Sequence, residues 1–305
     1  MPPEGPLGVT VTVEGWESPS DLGIVVAEQR GFFEDVGLNV WVGTPGTPNR
    51  SVSYVLSGTD EFGVAQMPEV AIAKEKGLPV VAVGSLVSQP TTAMIWLKKS
   101  KIRTLSGLKG KTIAINGSLY QERLLETVLA RAGLTLDQVH VKSVGYNLVP
   151  ALLSGKADAI LGGSWNLEGV ELKKRGADPV ITRMSGIGAP SYEELVVIVR
   201  RDLAEEYPEF VQKFLSAVVR GTEVAVKHPK AAIRMAMKAD ERNPHVGLKA
   251  ISAQTRATLP LLSRSGRIDP EKASDLVGWM QEQGMIRESS SVSGLLTNRY
   301  LPAQP

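Results

Sequence analysis

The sequence of 305 residues contains no cysteine and only three histidines. Without cysteine, the chain has no disulfides, no thiolate metal ligands and no cysteine nucleophile. The histidines, His140, His228 and His245, are far apart along the chain and lack the spacing of metal ligands. We therefore expect each histidine to lie on the surface or to be satisfied by its neighbours, and we expect no bound metal and no cofactor.

Strong net charge and long apolar runs are also missing. The net charge is +2, with no long run of lysine and arginine, so neither nucleic acid nor a membrane surface is an expected partner. No stretch approaches the roughly 20 apolar residues that span a bilayer, and the opening MPPEGPLGV lacks the basic and apolar segments of a signal peptide. Two interpretations stay open: a cytoplasmic protein, or an exported protein whose signal is not part of this chain.

What the chain does contain is an alternation of short strand and helix patterns, with most helices followed by the glycine that terminates a helix best. The predicted strands cover 9–15, 38–43, 61–65, 79–85, 93–99, 111–116, 140–145, 158–163, 179–184 and 195–201. The predicted helices between them cover 21–30, 51–57, 68–76, 120–132, 148–153 and 165–174. This alternation predicts parallel strands joined by helical crossovers.

Four largely helical stretches follow to the C-terminus. Asp202 is expected to cap the first, with Pro208 near its start, and Asp269 is expected to open the last. These amphipathic helices need a surface to cover. The simplest arrangement lets the chain cross to a second lobe near Gln89 and return near Pro190, so that the tail packs on the first lobe.

The predicted fold class is therefore α/β, with two lobes, a hinge between them and a helical C-terminal tail on the first lobe. Residues 8–90 and 194–305 are predicted to form the first lobe, and residues 91–193 the second. Ligands of open parallel sheets collect at the carboxyl ends of the strands, and here those ends face the cleft between the lobes. The layout predicts a binding protein that closes about a hinge.

Candidate binding residues lie just past the strand ends. Trp16 could stack on a flat ligand or cover the local core. Gln66 offers an amide donor and acceptor, or caps a helix. Asn116 and Ser118 flank a glycine at a helix start, where free N–H groups and a hydroxyl could receive an acceptor or anion. A plain turn with an N-cap explains those two residues equally well.

The stretch from Ser164 to Glu168 is the most distinctive in the chain. Trp165, Asn166 and Glu168 crowd the first turn of a predicted helix, where a glutamate also favours the helix dipole without any functional role. Tyr192 and Glu194 sit where the chain returns across the hinge. A carboxylate there could accept hydrogen bonds from a ligand, or it could face solvent.

Catalytic signatures are absent from the sequence. No G-x-S-x-G elbow, zinc motif, phosphate-binding loop or dinucleotide fingerprint occurs. Glu168 and Glu194 could in principle act as an acid and base pair, but no other feature of the sequence indicates one. We expect no enzyme.

These residues carry a resemblance to a known family. GFFEDVGLNV, VGYNLVPALLSGKADAILGG, WNLEGVELKKRGADPVI and GAPSYEELVVIVRRD resemble the thiamine-precursor-binding proteins of bacterial ABC importers. Those proteins capture formylaminopyrimidine or hydroxymethylpyrimidine, and they share their fold with the pyrimidine synthases of fungal thiamine biosynthesis. The resemblance covers roughly residues 9–202 and is weak over the helical tail. It implies a type II periplasmic-binding-protein-like fold.

The resemblance also implies a flat heteroaromatic ligand held between the lobes. Trp16 and Trp165 would stack on this ligand or wall it. Glu194 matches the family's hinge glutamate and would bind an amino group on the ring. Asn166 and Glu168 would support the ligand from the second lobe.

The sequence departs from the family pattern at two places. The family usually carries W-x-P-N-x-x-H after the first strand, whereas Trp16 is followed here by ESPSD, with no histidine and with Asp21 near its place. Asn147 follows the pair Gly145-Tyr146, where the family often has aspartate. Tyr146 and Asn147 are candidates for ligand contact, and the ligand could be another pyrimidine or a larger flat molecule such as riboflavin. The synthases need a cysteine-rich stretch and a histidine at the site, and neither is present here.

The functional prediction is the solute-binding component of an ABC importer. We expect a monomer that works outside the cytoplasmic membrane, in the periplasm or as a membrane-anchored lipoprotein, with an ABC permease as its partner. The alternatives are a synthase-like enzyme of thiamine biosynthesis, a binder of riboflavin or of a sulfonate- or nitrate-type solute, and a sensor domain.

Overall fold

The computed structural model describes residues 7–47, 50–242 and 246–303, and within these ranges the strands form two five-stranded sheets. In spatial order, the first sheet consists of β2 (Leu38–Gly43), β1 (Leu7–Thr12), β3 (Phe62–Gln66), β10 (Leu195–Arg200) and β4 (Val80–Val87). The second sheet consists of β7 (His140–Ser143), β6 (Thr112–Ile115), β8 (Ala159–Ser164), β5 (Thr92–Leu97) and β9 (Pro179–Arg183). Each predicted strand is present, with bounds that differ by at most three residues.

The helices lie between the strands and in the C-terminal third of the chain. Those between strands are α1 (Leu22–Gln29), α2 (Arg50–Ser57), α3 (Met67–Glu75), α4 (Leu119–Arg131), α5 (Leu148–Leu153) and α6 (Glu168–Lys174). The tail contains α7 (Arg201–Glu206), α8 (Pro208–Lys227), α9 (Pro229–Arg242), α10 (Leu248–Thr258) and α11 (Pro270–Glu282).

The start of the tail differs from its prediction. Asp202 is the second residue of the short helix α7 and not its cap, although its carboxylate still accepts a hydrogen bond from the Leu203 backbone N–H at 2.8 Å. Pro208 begins a separate helix, because proline disfavours helical geometry in the residue before it. Asp269 does cap α11, by accepting from the Glu271 backbone N–H at 2.9 Å.

The sheets are mixed, whereas the sequence predicted parallel strands throughout. β10 pairs antiparallel with β3 and β4, and β5 pairs antiparallel with β8 and β9. Each of these two strands is the first after the chain passes from one sheet to the other, so it enters its new sheet from the opposite end. The remaining pairs, β1 with β2 and β3, and β6 with β7 and β8, are parallel as predicted.

The two passages between the sheets lie at residues 88–91 and 184–194. We propose that the lobe boundary follows them, with residues 8–90 and 194–305 in one lobe and 91–193 in the other. α8 packs on α1, which places it on the first lobe. α10 also reaches α6 of the second lobe, because the Gln254 side-chain amide donates to the carbonyl of Leu167 at 3.1 Å.

Every residue of β3 and β4 is buried, so these strands form the centre of the first lobe. Phe62 of β3 stacks on Phe214 of α8 with ring centroids 3.9 Å apart. The helices α1 and α8 approach closely beside this stack, because both contribute a glycine. A Cβ on Gly221 would overlap the carbonyl oxygen of Gly23.

Metal and membrane features are absent from the described ranges. No group of three or more histidine, aspartate or glutamate side chains there could hold a metal ion. No helix in those ranges is long and apolar enough to cross a bilayer. The prediction for His245 concerns a residue outside the described ranges.

The glycine contact gives a stability prediction. We expect Gly221→Ala to lower the free energy of unfolding by about 1–3 kcal/mol, because the added methyl group overpacks the contact between α1 and α8. The matched control is Gly278→Ala in α11, where nothing lies within 4 Å of the added Cβ. There the gain in helix propensity should raise stability by up to about 1 kcal/mol. Urea unfolding of both variants tests this, and equal effects of the two substitutions would contradict it.

Candidate ligand-binding site

A cavity lies between the two sheets, at the carboxyl ends of the parallel strands. β1 and β3 point their carboxyl ends at it from the first lobe, and β6 and β8 from the second, so the site collects the residues that follow these strands. The residues that line it are Glu14, Trp16, Ser18, Ser20, Gln66, Thr91, Asn116, Gly145, Tyr146, Leu148, Gly162, Ser164, Leu167, Glu168, Glu194 and Leu195.

The cavity contains half of the residues that the sequence marked as candidates. Six candidates line it: Trp16, Gln66, Asn116, Tyr146, Glu168 and Glu194. Six others do not: Asp21, Ser118, Asn147, Trp165, Asn166 and Tyr192.

Asp21 and Ser118 have structural contacts instead of a place in the cavity. The Asp21 carboxylate accepts from the backbone N–H and the hydroxyl of Ser18, at 3.0 and 2.9 Å, and so closes a capping box. Ser118 caps α4 by accepting from the Gln121 backbone N–H at 3.0 Å. For Ser118, the plain alternative of an N-cap is therefore what the structure has.

The side chains of Trp165 and Asn166 are not among those that line the cavity. The Trp165 indole N–H donates to the carbonyl of Pro90 at 3.2 Å, and the Arg183 guanidinium lies over its ring at 3.9 Å. Asn166 is fully buried and donates to the Thr258 hydroxyl of α10 at 2.8 Å. The helix was predicted to start at Trp165 but starts at Glu168, so Trp165 and Asn166 lie in the turn before it.

The last two candidates outside the cavity differ in burial. Tyr192 is fully buried, and its hydroxyl lies 3.4 Å from that of Tyr120. Asn147 is exposed on the surface just before α5. Neither side chain is among those that line the cavity.

Glu194 forms the floor of the cavity and joins the two passages between the lobes. One carboxylate oxygen accepts from the backbone N–H groups of Thr91 and Thr92, at 2.6 and 3.2 Å. The other accepts from the Thr92 hydroxyl at 2.6 Å. Burial raises the pKa of Glu194 even so, although these hydrogen bonds lower it in part.

Glu168 contributes a second carboxyl group to the cavity, from the lobe that contains the second sheet. It is the first residue of α6, and it accepts from the Ser164 backbone N–H at 2.6 Å. Burial raises its pKa to about 7. The contact with Ser164 ties the start of α6 to the end of β8, and the same side chain lines the cavity.

Glu14 is a cavity residue that the sequence reasoning missed. It follows β1 by two residues, and it was counted only as the end of a predicted strand. Burial and the nearby charge of Glu69 raise its pKa well above the ordinary value. A charged residue directly after a buried strand end was the signal that could have found it.

Three buried polar atoms of the cavity residues have no hydrogen-bond partner among the described residues. They are Oε2 of Glu14, Oε1 of Gln66 and the hydroxyl oxygen of Tyr146. Buried polar atoms are nearly always hydrogen-bonded in proteins. An unpaired group of this kind costs about 1–3 kcal/mol, so a ligand that pairs with these atoms recovers that free energy.

The cavity is acidic. Glu14, Glu168 and Glu194 line it, and no lysine, arginine or histidine is among the described residues that do. The turn after β6 supplies no obvious anion site either. The Asn116 backbone N–H donates to the Gln121 side chain at 2.7 Å, and the Ser118 backbone N–H donates to the Asn116 side chain at 2.8 Å.

The buried carboxylates give a pH prediction. Burial raises the pKa of Glu69, beside the cavity, to about 8 from 4.5. The folded state therefore keeps a proton that the unfolded chain loses, and the free energy of unfolding falls as pH rises from about 4.5 to about 8. We expect Glu69→Gln to raise the melting temperature at pH 8.5 by about 2 °C or more, with less gain at pH 5.

The control for this prediction is Glu122→Gln, which neutralises an exposed carboxylate in the first turn of α4. Thermal unfolding of both variants across the pH range is the measurement. A gain for Glu69→Gln that does not grow with pH would contradict the prediction.

Comparison with known proteins places this chain in a family. The family model described as NMT1/THI5 like matches residues 18–232. The formylaminopyrimidine-binding protein of Halalkalibacterium halodurans is 31% identical over 236 residues, which cover 77% of this chain and 72% of that protein. The 4-amino-5-hydroxymethyl-2-methylpyrimidine phosphate synthase of Legionella pneumophila is 28% identical over 301 residues, which cover 97% of this chain and 93% of that protein.

Among solved structures, the alkanesulfonate-binding protein SsuA of Xanthomonas axonopodis pv. citri, bound to MOPS, has a TM-score of 0.75 at 16% identity. The alignment covers 97% of this chain and 99% of that chain. This likeness shows the fold, which is the two-lobed, type II architecture of periplasmic binding proteins. The family resemblance seen in the sequence is thereby confirmed: the chain belongs to the NMT1/THI5-like family.

Proposed function

We propose that this protein is the solute-binding component of an ABC importer and captures a thiamine pyrimidine precursor between its lobes. The observation that carries the proposal is the glutamate-lined cavity, in which buried hydrogen-bonding atoms have no partner among the described residues. A partly enclosed site of this kind, with apolar walls and a few polar groups, fits a small heterocycle with donor groups. The named relative that binds formylaminopyrimidine supports the same ligand class.

The charge of the cavity argues against the synthase alternative. The synthases among the relatives are named for a product that carries a phosphate group. Proteins hold phosphate with arginine, lysine or free backbone N–H groups. No lysine, arginine or histidine is among the described lining residues, so a phosphate would meet no positive charge there. We therefore propose capture of an unphosphorylated ligand, without turnover.

The same charge argues against a sulfonate- or nitrate-type solute. The fold is shared with an alkanesulfonate-binding protein, but an anion needs the same positive or donor-rich surroundings that a phosphate needs. The lining offers an anion no positive charge, and any ionised glutamate there repels it. Shared fold does not imply shared ligand.

The size of the cavity favours one ring over several. Its volume is about 80 Å³, and a single water needs roughly 10–15 Å³ on a comparable measure. In this conformation the space suits a single substituted ring. The three fused rings of riboflavin would need the lobes to move apart.

Delivery to a permease outside the cytoplasmic membrane completes the proposal. Two-lobed binding proteins close about a hinge when they take up a solute, and here the two passages of the chain between the lobes meet at Glu194. We propose that the protein acts as a monomer in this role, since one chain supplies both sheets and hence residues on both sides of the cavity.

The first test compares an alcohol with its phosphate ester. We expect 4-amino-5-hydroxymethyl-2-methylpyrimidine to bind in isothermal titration calorimetry, and its phosphate ester to bind at least 100-fold more weakly because the described lining holds glutamates and no positive charge. Equal affinities, or release of the phosphate ester as a product from candidate precursors, would favour the synthase alternative.

The second test separates the two tryptophans. Trp16 lines the cavity, whereas Trp165 packs against Pro90 and Arg183 outside it. Stacking of a base on an aromatic ring contributes about 1–3 kcal/mol, so we expect Trp16→Ala to weaken binding of the pyrimidine by about tenfold or more. Trp165→Ala is the control and should change the melting temperature more than the affinity. A larger affinity loss from Trp165→Ala would refute the assignment.

A further inference from the structure

Two of the unpaired atoms in the cavity are hydrogen-bond acceptors on neighbouring strands. Glu14 follows β1 and Gln66 ends β3, and these strands pair in parallel, with Thr12 beside Gly63. Neighbouring strands lie about 4.8 Å apart, so the two side chains leave the sheet edge close together. The Gln66 backbone N–H also hydrogen-bonds to the Glu14 carboxyl group and lowers its pKa, which requires that the two residues lie close together.

Neither acceptor is satisfied by the protein. Oε2 of Glu14 and Oε1 of Gln66 have no partner among the described residues, and Gln66 is only 9% exposed. Both side chains line the cavity. The two side chains offer adjacent oxygens that can accept from ligand N–H groups, and a protonated Glu14 can also donate to a ring nitrogen beside such a group.

On the basis of the function proposed above, we infer that Glu14 and Gln66 form the specificity-determining subsite of the cavity and bind an exocyclic amino group of the ligand. The substrate class is therefore unphosphorylated nitrogen heterocycles with such a group. An isostere that presents a methyl group there leaves both acceptors buried and unpaired, and sites built for a hydrogen bond reject such analogues strongly.

Tyr146 faces this subsite from the other lobe. A Cβ on Gly15 would lie only 3.1 Å from the Tyr146 ring, so the chain just after β1 packs closely against this ring. The Tyr146 hydroxyl oxygen is also buried without a partner. A phenol can donate to a ring nitrogen, which completes recognition of an aminoheterocycle from the second lobe.

The test measures affinity for two probes by calorimetry with the full chain. One probe is 4-amino-5-hydroxymethyl-2-methylpyrimidine, and the other has a methyl group in place of its 4-amino group. We expect the wild type to prefer the amino probe at least tenfold. If neither probe binds, the proposed ligand class fails. If both bind equally, the capture function stands and the subsite assignment is overturned.

Two variants test whether Glu14 and Gln66 cause this preference. In Glu14→Leu and in Gln66→Leu one hydrogen-bonding group is gone, so we expect the preference to fall below threefold in each. Glu17→Gln is the matched control: it changes the same loop outside the cavity lining, and it should keep the wild-type preference. Melting temperatures confirm that the variants fold. An unchanged preference in whichever of the two variants folds would overturn the inference.

Discussion

The contact on which the site depends is the hydrogen bonding of one buried carboxylate to the chain segment opposite it. Glu194 lies on the segment that returns to the first sheet, and it accepts from backbone N–H groups of Thr91 and Thr92 on the segment that leaves that sheet. A carboxylate taken out of water without such donors costs several kcal/mol. These bonds hold the two passages of chain side by side and fix where the lobes meet.

Other carboxyl groups at the cavity have fewer hydrogen-bond donors to offset the loss of solvent than Glu194 has. Glu14 and Glu69 are half-buried with less compensation, and the loss of solvent raises the pKa of each. The fold tolerates this cost because packing of the two sheets and their helices outweighs it. A ligand that brings N–H donors lowers the cost, whereas an anionic ligand increases it. Selection in this site therefore comes from rejection of the wrong charge as much as from contacts to the right partner.

Residues near strand ends could be named from the sequence, but the directions of their side chains could not. Trp16 and Trp165 looked equivalent, since each follows a strand and precedes polar residues. The turn before α6 sends Trp165 toward Pro90 and Arg183, and α10 supplies the Thr258 hydroxyl that holds Asn166. α10 is about 90 residues further along the chain, and no local pattern predicts that contact. Glu14 was missed for the opposite reason, because strand periodicity explained it without a cavity.

The element order, the family and the position of the cavity at the strand ends followed from composition, periodicity and motifs, because these depend on neighbours in sequence. Mixed strand directions, the floor that Glu194 forms with Thr91 and Thr92, and the unpaired acceptors of Glu14 and Gln66 were decided only by the tertiary structure. The physical reason is desolvation. Whether a carboxylate is solvated, capped or buried without a partner depends on segments that are distant in the chain and adjacent only after folding.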